Sequence, residues 1–149
     1  MTCTWRWLVW RDLEVGLLHA AYKLRSDVFV VEQNCIYNDV DGLDPLCDHL
    51  FGVDEQGRLL AYLRLLAPGV KYKEPSIGRV VVARVARKQG LARRAMLAAI
   101  ERCRTRFPGQ PILIQAQQYL QRFYESLGFR SIGAPYLEDG ISHVDMRMS

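Results

Sequence analysis

The sequence predicts a single α/β domain, and three observations carry that reading. At 149 residues the chain is about the size of one ordinary domain and too short for two well-cored ones. Half of its residues are hydrophobic and 24% are charged, the balance of a globular protein with ample apolar surface for a core. Short strand-like runs alternate with three windows of helical period, in the order β, α, β, β, β, α, β, α, β, β.

Trp5, Trp7 and Val9 alternate with Arg6 and Leu8, so the chain opens with a strand. Asp12 stands where it can cap a helix, and Leu13, Leu17, Ala21, Leu24 and Val28 recur at helical spacing to about Val31. Residues 34–48, NCIYNDVDGLDPLCD, hold turn formers and four aspartates without a period, and read as an irregular loop. His49–Val53 and Arg58–Leu66 flank Asp54-Glu55-Gln56-Gly57 and form a hairpin. The loop PGVKYKEP precedes a strand over Ile77–Val82. From Gly90 a long helix places Leu91, Ala95, Ala98, Ala99 and Cys103 on one side and arginines on the other, ending before Pro108. Ile112–Gln115 is a short strand. Tyr119–Leu127 is a helix with Leu120, Phe123 and Leu127 on one face, and Gly128 suits its left-handed C-cap, with Phe129 as the apolar contact. Strands around Phe129–Ile132 and Ile141–Met148 close the chain, joined through Glu138-Asp139-Gly140.

The longest apolar runs fall far short of the roughly 20 residues that span a bilayer, and the N-terminus has no signal-peptide pattern. Cys3, Cys35, Cys47 and Cys103 show no CxxC spacing, so a reducing, cytoplasmic compartment is expected. His19, His49 and His143 lie far apart, and no metal site is expected. Asp39-Val-Asp41-Gly42-Leu-Asp44 is not a calcium loop, because the glycine comes too early and Leu50 stands where a bidentate Glu is needed.

Charge is unevenly distributed. Residues 79–106 carry nine basic side chains against one acid, Glu101, making that segment +8 within a chain of net +4. A polyanionic ligand, a solvated helix face and nucleic acid are the three readings. Nucleic acid ranks last, because aromatics are not interleaved with the arginines and no nucleic-acid-binding pattern is present.

Within this block Arg87-Lys88-Gln89-Gly90-Leu91-Ala92 joins a strand, IGRVVV, to the long helix. Unpaired amides and the helix dipole make such an N-terminus receptive to anions, and Gly90 permits close approach to the backbone. A pyrophosphate fits. The spacing is neither that of a P-loop nor of a dinucleotide fold. Taken alone, Gly90 reads rather as an ordinary tight turn.

Arg87-x-x-Gly90-x-Ala92 resembles the pyrophosphate motif of the GNAT acetyltransferase superfamily, and Phe123-Tyr124-Glu-Ser-Leu-Gly128-Phe129 resembles its second motif. Arg25-x-x-x-Phe29-Val-Val-Glu32-Gln33-Asn34-Cys35 and Glu-Asp-Gly140-Ile-x-His143 extend the resemblance, over nearly the whole chain, to the ElaA-like group. It implies a GNAT fold, a central, mostly antiparallel sheet flanked by helices, and an acetyl-CoA-dependent N-acetyltransferase. By position, Val80, Val81 and Val82 would pair with the pantetheine arm. Arg87, Lys88, Gln89, Gly90, Leu91, Ala92 and Arg93 would hold the pyrophosphate, and Tyr124 would protonate the departing thiolate. Gln117 stands at the superfamily's usual asparagine and Leu120 at its usual alanine, and neither change removes a required group.

Direct attack by an uncharged amine needs a preorganised donor for the oxyanion, most simply an amide of the Val80–Val82 strand. With a thiol pKa near about 8.5 and a phenol near about 10, proton transfer from Tyr124 is uphill by roughly 2 kcal/mol, so Tyr124 helps rather than decides. A cationic amine must first lose a proton, and Glu32, Asp41, Asp44 and His143 are the candidate bases. Arg25, Phe29 and Glu32 lie at helical spacing and could line an acceptor mouth. The aspartates of residues 34–48 lie in a stretch without lysine or arginine, which suggests attraction of a cationic amine. Aspartates that merely cap turns explain the same loop. The expected partner is a small-molecule or peptide amine acceptor, and a homodimer is left open, whereas neither nucleic acid nor a membrane is expected. An acyl-CoA-binding module without turnover and an acyltransferase related to the autoinducer synthases are the competing functions.

Overall fold

The computed structural model describes residues 2–149. In chain order the elements are β1 (Thr4–Val9), α1 (Val15–Arg25), β2 (Cys47–Val53), β3 (Leu59–Leu66), β4 (Ser76–Val82), α2 (Leu91–Arg106), β5 (Ile112–Gln117), α3 (Gln121–Glu125), β6 (Arg130–Ser131), β7 (Tyr136–Glu138) and β8 (Ile141–Met148). All eight strands join one sheet in the order β1-β2-β3-β4-β5-β8-β6, with β7 pairing β8 beyond β6. Every pairing is antiparallel except β4 with β5, which is parallel. Among the described residues no helix is long and apolar enough to cross a membrane.

Strand alternation divides the core between the two faces of the sheet. On one face Ile112, Ile114 and Ala116 of β5 and Val144, Met146 and Met148 of β8 pack with Ala95, Met96, Ala99, Ile100 and Cys103 of α2, beneath Tyr124 and Phe129. On the other, Phe51, Tyr62 and Val81 meet Ala21, with Leu17, Leu24 and Val28 along the apolar stripe of α1. Burying each such large side chain contributes about 1.5–3 kcal/mol, which makes these stripes, rather than intrinsic propensity, the reason both helices dock.

Three expectations change. Asp12 lies in a short 3-10 turn, and α1 begins at Val15 with Glu14 at its N-cap and no side-chain cap bond. After Arg25 the helix widens to π winding over Ser26–Glu32, with Gln33 N–H donating to Val28 C=O and Cys35 N–H to Val30 C=O, five residues back. The third helix is shorter than its apolar pattern, occupying Gln121–Glu125 after a 3-10 turn over Gln118–Leu120. The three-residue β7 follows Gly133-Ala134-Pro135 and carries no readable alternation; it forms because Asp139 (φ +52°) and Gly140 (φ +77°) turn the chain back onto β8.

Candidate active site

The cleft originates in the sheet. β4 and β5 share only the pair Ser76–Leu113, supplemented by Leu113 N–H to Pro75 C=O at 3.0 Å. Beyond it they diverge, β4 held by β3 and β5 by β8. The facing edge of β4 therefore presents backbone amides and carbonyls without strand partners. One extra residue in β4 breaks its register against β3 between Tyr62 and Arg64, and Arg79 occupies the bulge at φ +52°. The opening between the strands is a cleft of about 730 Å³ lined by Val80, Val81 and Val82 on one wall and by Ile114, Gln115 and Gln117 on the other.

The turn into α2 forms one end. Lys88 (φ +63°) and Gly90 (φ +76°) both adopt left-handed conformations, and Gly90 caps α2 with no side chain bonded to the first amides. A Cβ at Gly90 would meet nothing within 4 Å, so the space in front of these amides is open. Arg87, Lys88, Gly90, Leu91, Ala92 and Arg93 line the cleft; Gln89 does not. Arg87 donates from Nη1 and Nη2 to the two Glu32 oxygens at 2.7 and 2.9 Å, and from Nε to Val82 C=O at 3.2 Å. Those hydrogen bonds hold the Glu32 carboxyl below its ordinary range. Arg93 spans to α3, donating to Ser126 Oγ at 2.6 Å with its guanidinium over the Phe123 ring.

Tyr124 enters from α3, its ring edge-on to both Phe123 and Phe129. Burial pushes its phenol well above the ordinary value. Among the described residues its hydroxyl has no side-chain partner, yet it lines the cleft and is not sealed from it. It is a neutral hydrogen-bond donor on a residue of the cleft wall.

The α1 side of the sheet supplies the other wall. Because Ile114, Ala116, Val144 and Met146 point into the α2 core, their neighbours Gln115, Gln117, His143 and Asp145 point to the α1 face. Gln117 and Gln33 exchange amide hydrogen bonds at 3.1 and 3.4 Å. Phe29, Glu32 and Gln33 reach the cleft from the π-wound segment, and Glu138, Asp139 and His143 from the β7–β8 hairpin. Cys35 Sγ donates to Asp139 C=O at 3.3 Å, tying the two sides together. Gln33, Cys35, Glu138 and Asp139 were not singled out from sequence as individual site residues, although each lies in or beside the Arg25–Cys35 and Glu138–His143 strings that carry the ElaA-like resemblance.

The acidic loop is not the free anionic surface its composition suggests. Asp44 is fully buried and accepts from Arg25 Nη1 at 2.8 Å, Arg64 Nη1 at 3.0 Å and Tyr22 Oη at 3.2 Å. Asp41 accepts a two-pronged bond from Arg64 at 2.8 and 2.6 Å, and Asp39 pairs with Arg25 and Arg79. Burial opposes ionisation of Asp41 and Asp44, but the arginine hydrogen bonds and charges outweigh it and hold both carboxyls below the usual range. Asp48 is bound by Arg102 and Arg106 of α2. Thus Arg25, Asp41 and Asp44 sit together beside the cleft but do not line it, whereas Phe29, Glu32 and His143 do. The basic block divides too: Arg79, Arg102 and Arg106 neutralise this loop, Arg79 while also lining the cleft, and Arg87, Lys88 and Arg93 stand at the cleft's α2 end.

Residues 47–149 match the acetyltransferase (GNAT) domain family. A UPF0039 protein of Synechocystis sp. is 40% identical over 146 residues, covering 98% of this chain and 95% of the relative. Escherichia coli protein ElaA is 39% identical over 144 residues, 95% of this chain and 94% of ElaA; its crystal structure superposes with a TM-score of 0.93, covering 99% and 100% of the two chains. The crystal structure of an acyl-CoA N-acyltransferase from Pseudomonas aeruginosa, 40% identical, also gives 0.93 with 99% and 100% covered.

Proposed function

We propose, from the premise that the chain belongs to the GNAT acetyltransferase family, that it transfers an acetyl group from acetyl-CoA to a primary amine of a small molecule or peptide. The observation that carries this reading is the single-pair contact between β4 and β5. It opens a strand edge beside an uncapped helix N-terminus at one end and a buried, unpartnered phenol, Tyr124, on the same side of the sheet.

The residues fit an acyl-CoA. The open amides of α2 and the cations Arg87, Lys88 and Arg93 suit a pyrophosphate, and any side chain at position 90 would intrude on that space. The unpaired edge over Val80–Val82 suits the amide-bearing pantetheine arm, which can add to it as a strand would. What the bound donor supplies is an activated thioester.

An amide on that same β4 edge is preorganised to receive the oxyanion that forms when an amine adds to the thioester carbonyl. Tyr124 stays neutral, because burial opposes the phenolate. It therefore acts first as a hydrogen-bond donor to the leaving sulfur. Full proton transfer costs more than the roughly 2 kcal/mol separating an ordinary phenol from a thiol, so its contribution belongs at the low end of general-acid effects.

The acceptor enters from the α1 face, where Phe29, Glu32 and His143 border the cleft opposite Tyr124. Incubation with acetyl-CoA and a panel of primary amines and lysine peptides, read by thiol release and product mass, tests the reading. Thiol release matched by acetylated amine is expected. Donor binding without amine-dependent release refutes turnover and leaves a binding module.

A further inference from the structure

The acyl-transfer reading leaves the base unassigned. We infer that His143 is that base: its Nε2 takes the proton shed by the acceptor nitrogen. The inference rests on the proposed acyl transfer to an amine.

The geometry begins at the other ring nitrogen. His143 Nδ1 lies 2.7 Å from Ile141 C=O. A carbonyl can only accept, so Nδ1 carries the proton of the neutral ring and Nε2 is left with the lone pair. The ring stacks on Tyr136 at 6.2 Å between centroids, with 23° between planes, and Tyr136 is in turn fixed by donating to Asp145 Oδ1 at 2.5 Å. Orientation and tautomer are thereby set from opposite sides, as for a base held by a third group. Gln117 stands opposite His143 across β5–β8, and both line the cleft. The titratable groups around the ring are Tyr136 on β7, Asp145 on β8, Glu138 and Asp139 in the hairpin, and Lys71, which reaches Gln115 on β5 from the β3–β4 loop.

Position decides between His143 and its rivals. Tyr124 belongs to the α2 side of the sheet and His143 to the α1 side, so the donor for the leaving sulfur and the base for the amine reach the cleft from opposite faces of the sheet. Glu32 has both oxygens bound by Arg87. Asp41 and Asp44 are bound by arginines and lie outside the cleft lining. Of the four bases the sequence offers, His143 alone both lines the cleft and has a ring nitrogen with no hydrogen-bond partner among the described residues.

The step balances without a further reactant. The amine lone pair forms the C–N bond, its N–H proton passes to Nε2, the C–S electron pair leaves on sulfur, and the thiolate acquires a proton from Tyr124. The imidazolium then returns its proton to solvent and the phenolate regains one, giving an amide and a free thiol.

The ligand-free protein gives the first test. Nitrogen-15 spectra of the neutral His143 ring must show Nδ1 protonated, and an Nε2–H tautomer overturns the assignment. For turnover with acetyl-CoA and a primary amine accepted by wild type, His143→Asn, which retains a donor toward Ile141, and His143→Gln should each lower kcat/KM by about 100-fold to 10,000-fold. Acetyl-CoA affinity should be unchanged, which also shows that the variants fold. Imidazole should restore part of the rate to His143→Ala. A fluorinated amine that is uncharged at neutral pH should lose less rate than its alkyl counterpart. Variants that bind acetyl-CoA and turn over within about threefold of wild type sink the role of His143 alone; a wild type inert toward every amine sinks the acyl-transfer reading, and the base with it.

Discussion

Asp44→Asn separates a structural carboxylate from an acceptor-steering one. Asp44 is fully buried and is the acceptor shared by two buried guanidiniums, Arg25 at 2.8 Å and Arg64 at 3.0 Å. An asparagine fills the same space, but it removes the charge and turns an N–H₂ or a weaker oxygen toward each arginine. Each arginine keeps one other carboxylate partner, Asp39 for Arg25 and Asp41 for Arg64. The loss therefore belongs with breaking a buried pair, about 3–5 kcal/mol, and not with an exposed bridge. For a chain of 149 residues each kcal/mol lowers Tm by roughly 2–4 °C, so a fall of roughly 6–20 °C is expected. Asp41→Asn, at a side chain 27% exposed, should cost less, on the order of 1–3 kcal/mol. Thermal melts followed by circular dichroism give Tm, and acceptor saturation at fixed acetyl-CoA gives KM for whatever folds. An unchanged Tm with a raised acceptor KM would refute the structural assignment and return Asp44 to the acceptor.

Gly90→Asp places a negative side chain where phosphate is expected, and should weaken acetyl-CoA binding by calorimetry at least tenfold, about 1.4 kcal/mol; equal affinity refutes the pyrophosphate assignment. Glu32→Gln releases Arg87 toward the donor, so acetyl-CoA should bind up to about fivefold tighter, the range of a partly exposed ion pair; weaker binding contradicts it. Tyr124→Phe should lower kcat about 100-fold while leaving acetyl-CoA affinity in place, since the ring still packs, and an unchanged chemical step removes the phenol from the mechanism. His49 is buried, with Nδ1 accepting from Tyr62 Oη at 2.6 Å and Nε2 donating to Asp44 C=O at 2.9 Å, and burial lowers its pKa. The unfolded chain, titrating near about 6.5, then binds the extra proton first. Stability is full above that pH and falls as pH drops below it, with the depressed Asp41 and Asp44 extending the loss below about pH 4. Tm should stay level from pH 8 to about 7 and fall as pH drops toward 4, and a Tm that rises from pH 7 to 5 contradicts the neutral His49.

Elements with strong periods were legible, and so was the motif at the turn. The stripe Leu17, Ala21, Leu24, Val28 and the stripe Leu91, Ala95, Ala99, Cys103 each announce their buried face, because burial of that face is what fixes the element. The turn is readable because Gly90 must adopt a left-handed φ. What escaped depends on distant partners. A count of charges within residues 34–48 finds no cation, yet Arg25, Arg64 and Arg79 converge there from α1, β3 and β4. The short β7 has too few residues for a period, and the π winding after Arg25 leaves no mark in composition. The Gln33–Gln117 bridge joins positions 84 apart, and nothing local at either glutamine signals it.

Backbone amide hydrogen exchange with and without acetyl-CoA tests the central claim most directly, because in this account backbone groups of the β4 edge and of the turn into α2 hold the donor, with the cations of the turn assisting. On addition of acetyl-CoA, amides over Val80–Val82 and at Lys88–Arg93 should slow together, while β1 and β2, far along the sheet, stay unchanged. Saturating acetyl-CoA that protects neither segment, or that protects a different surface, would contradict a donor lodged between β4 and β5.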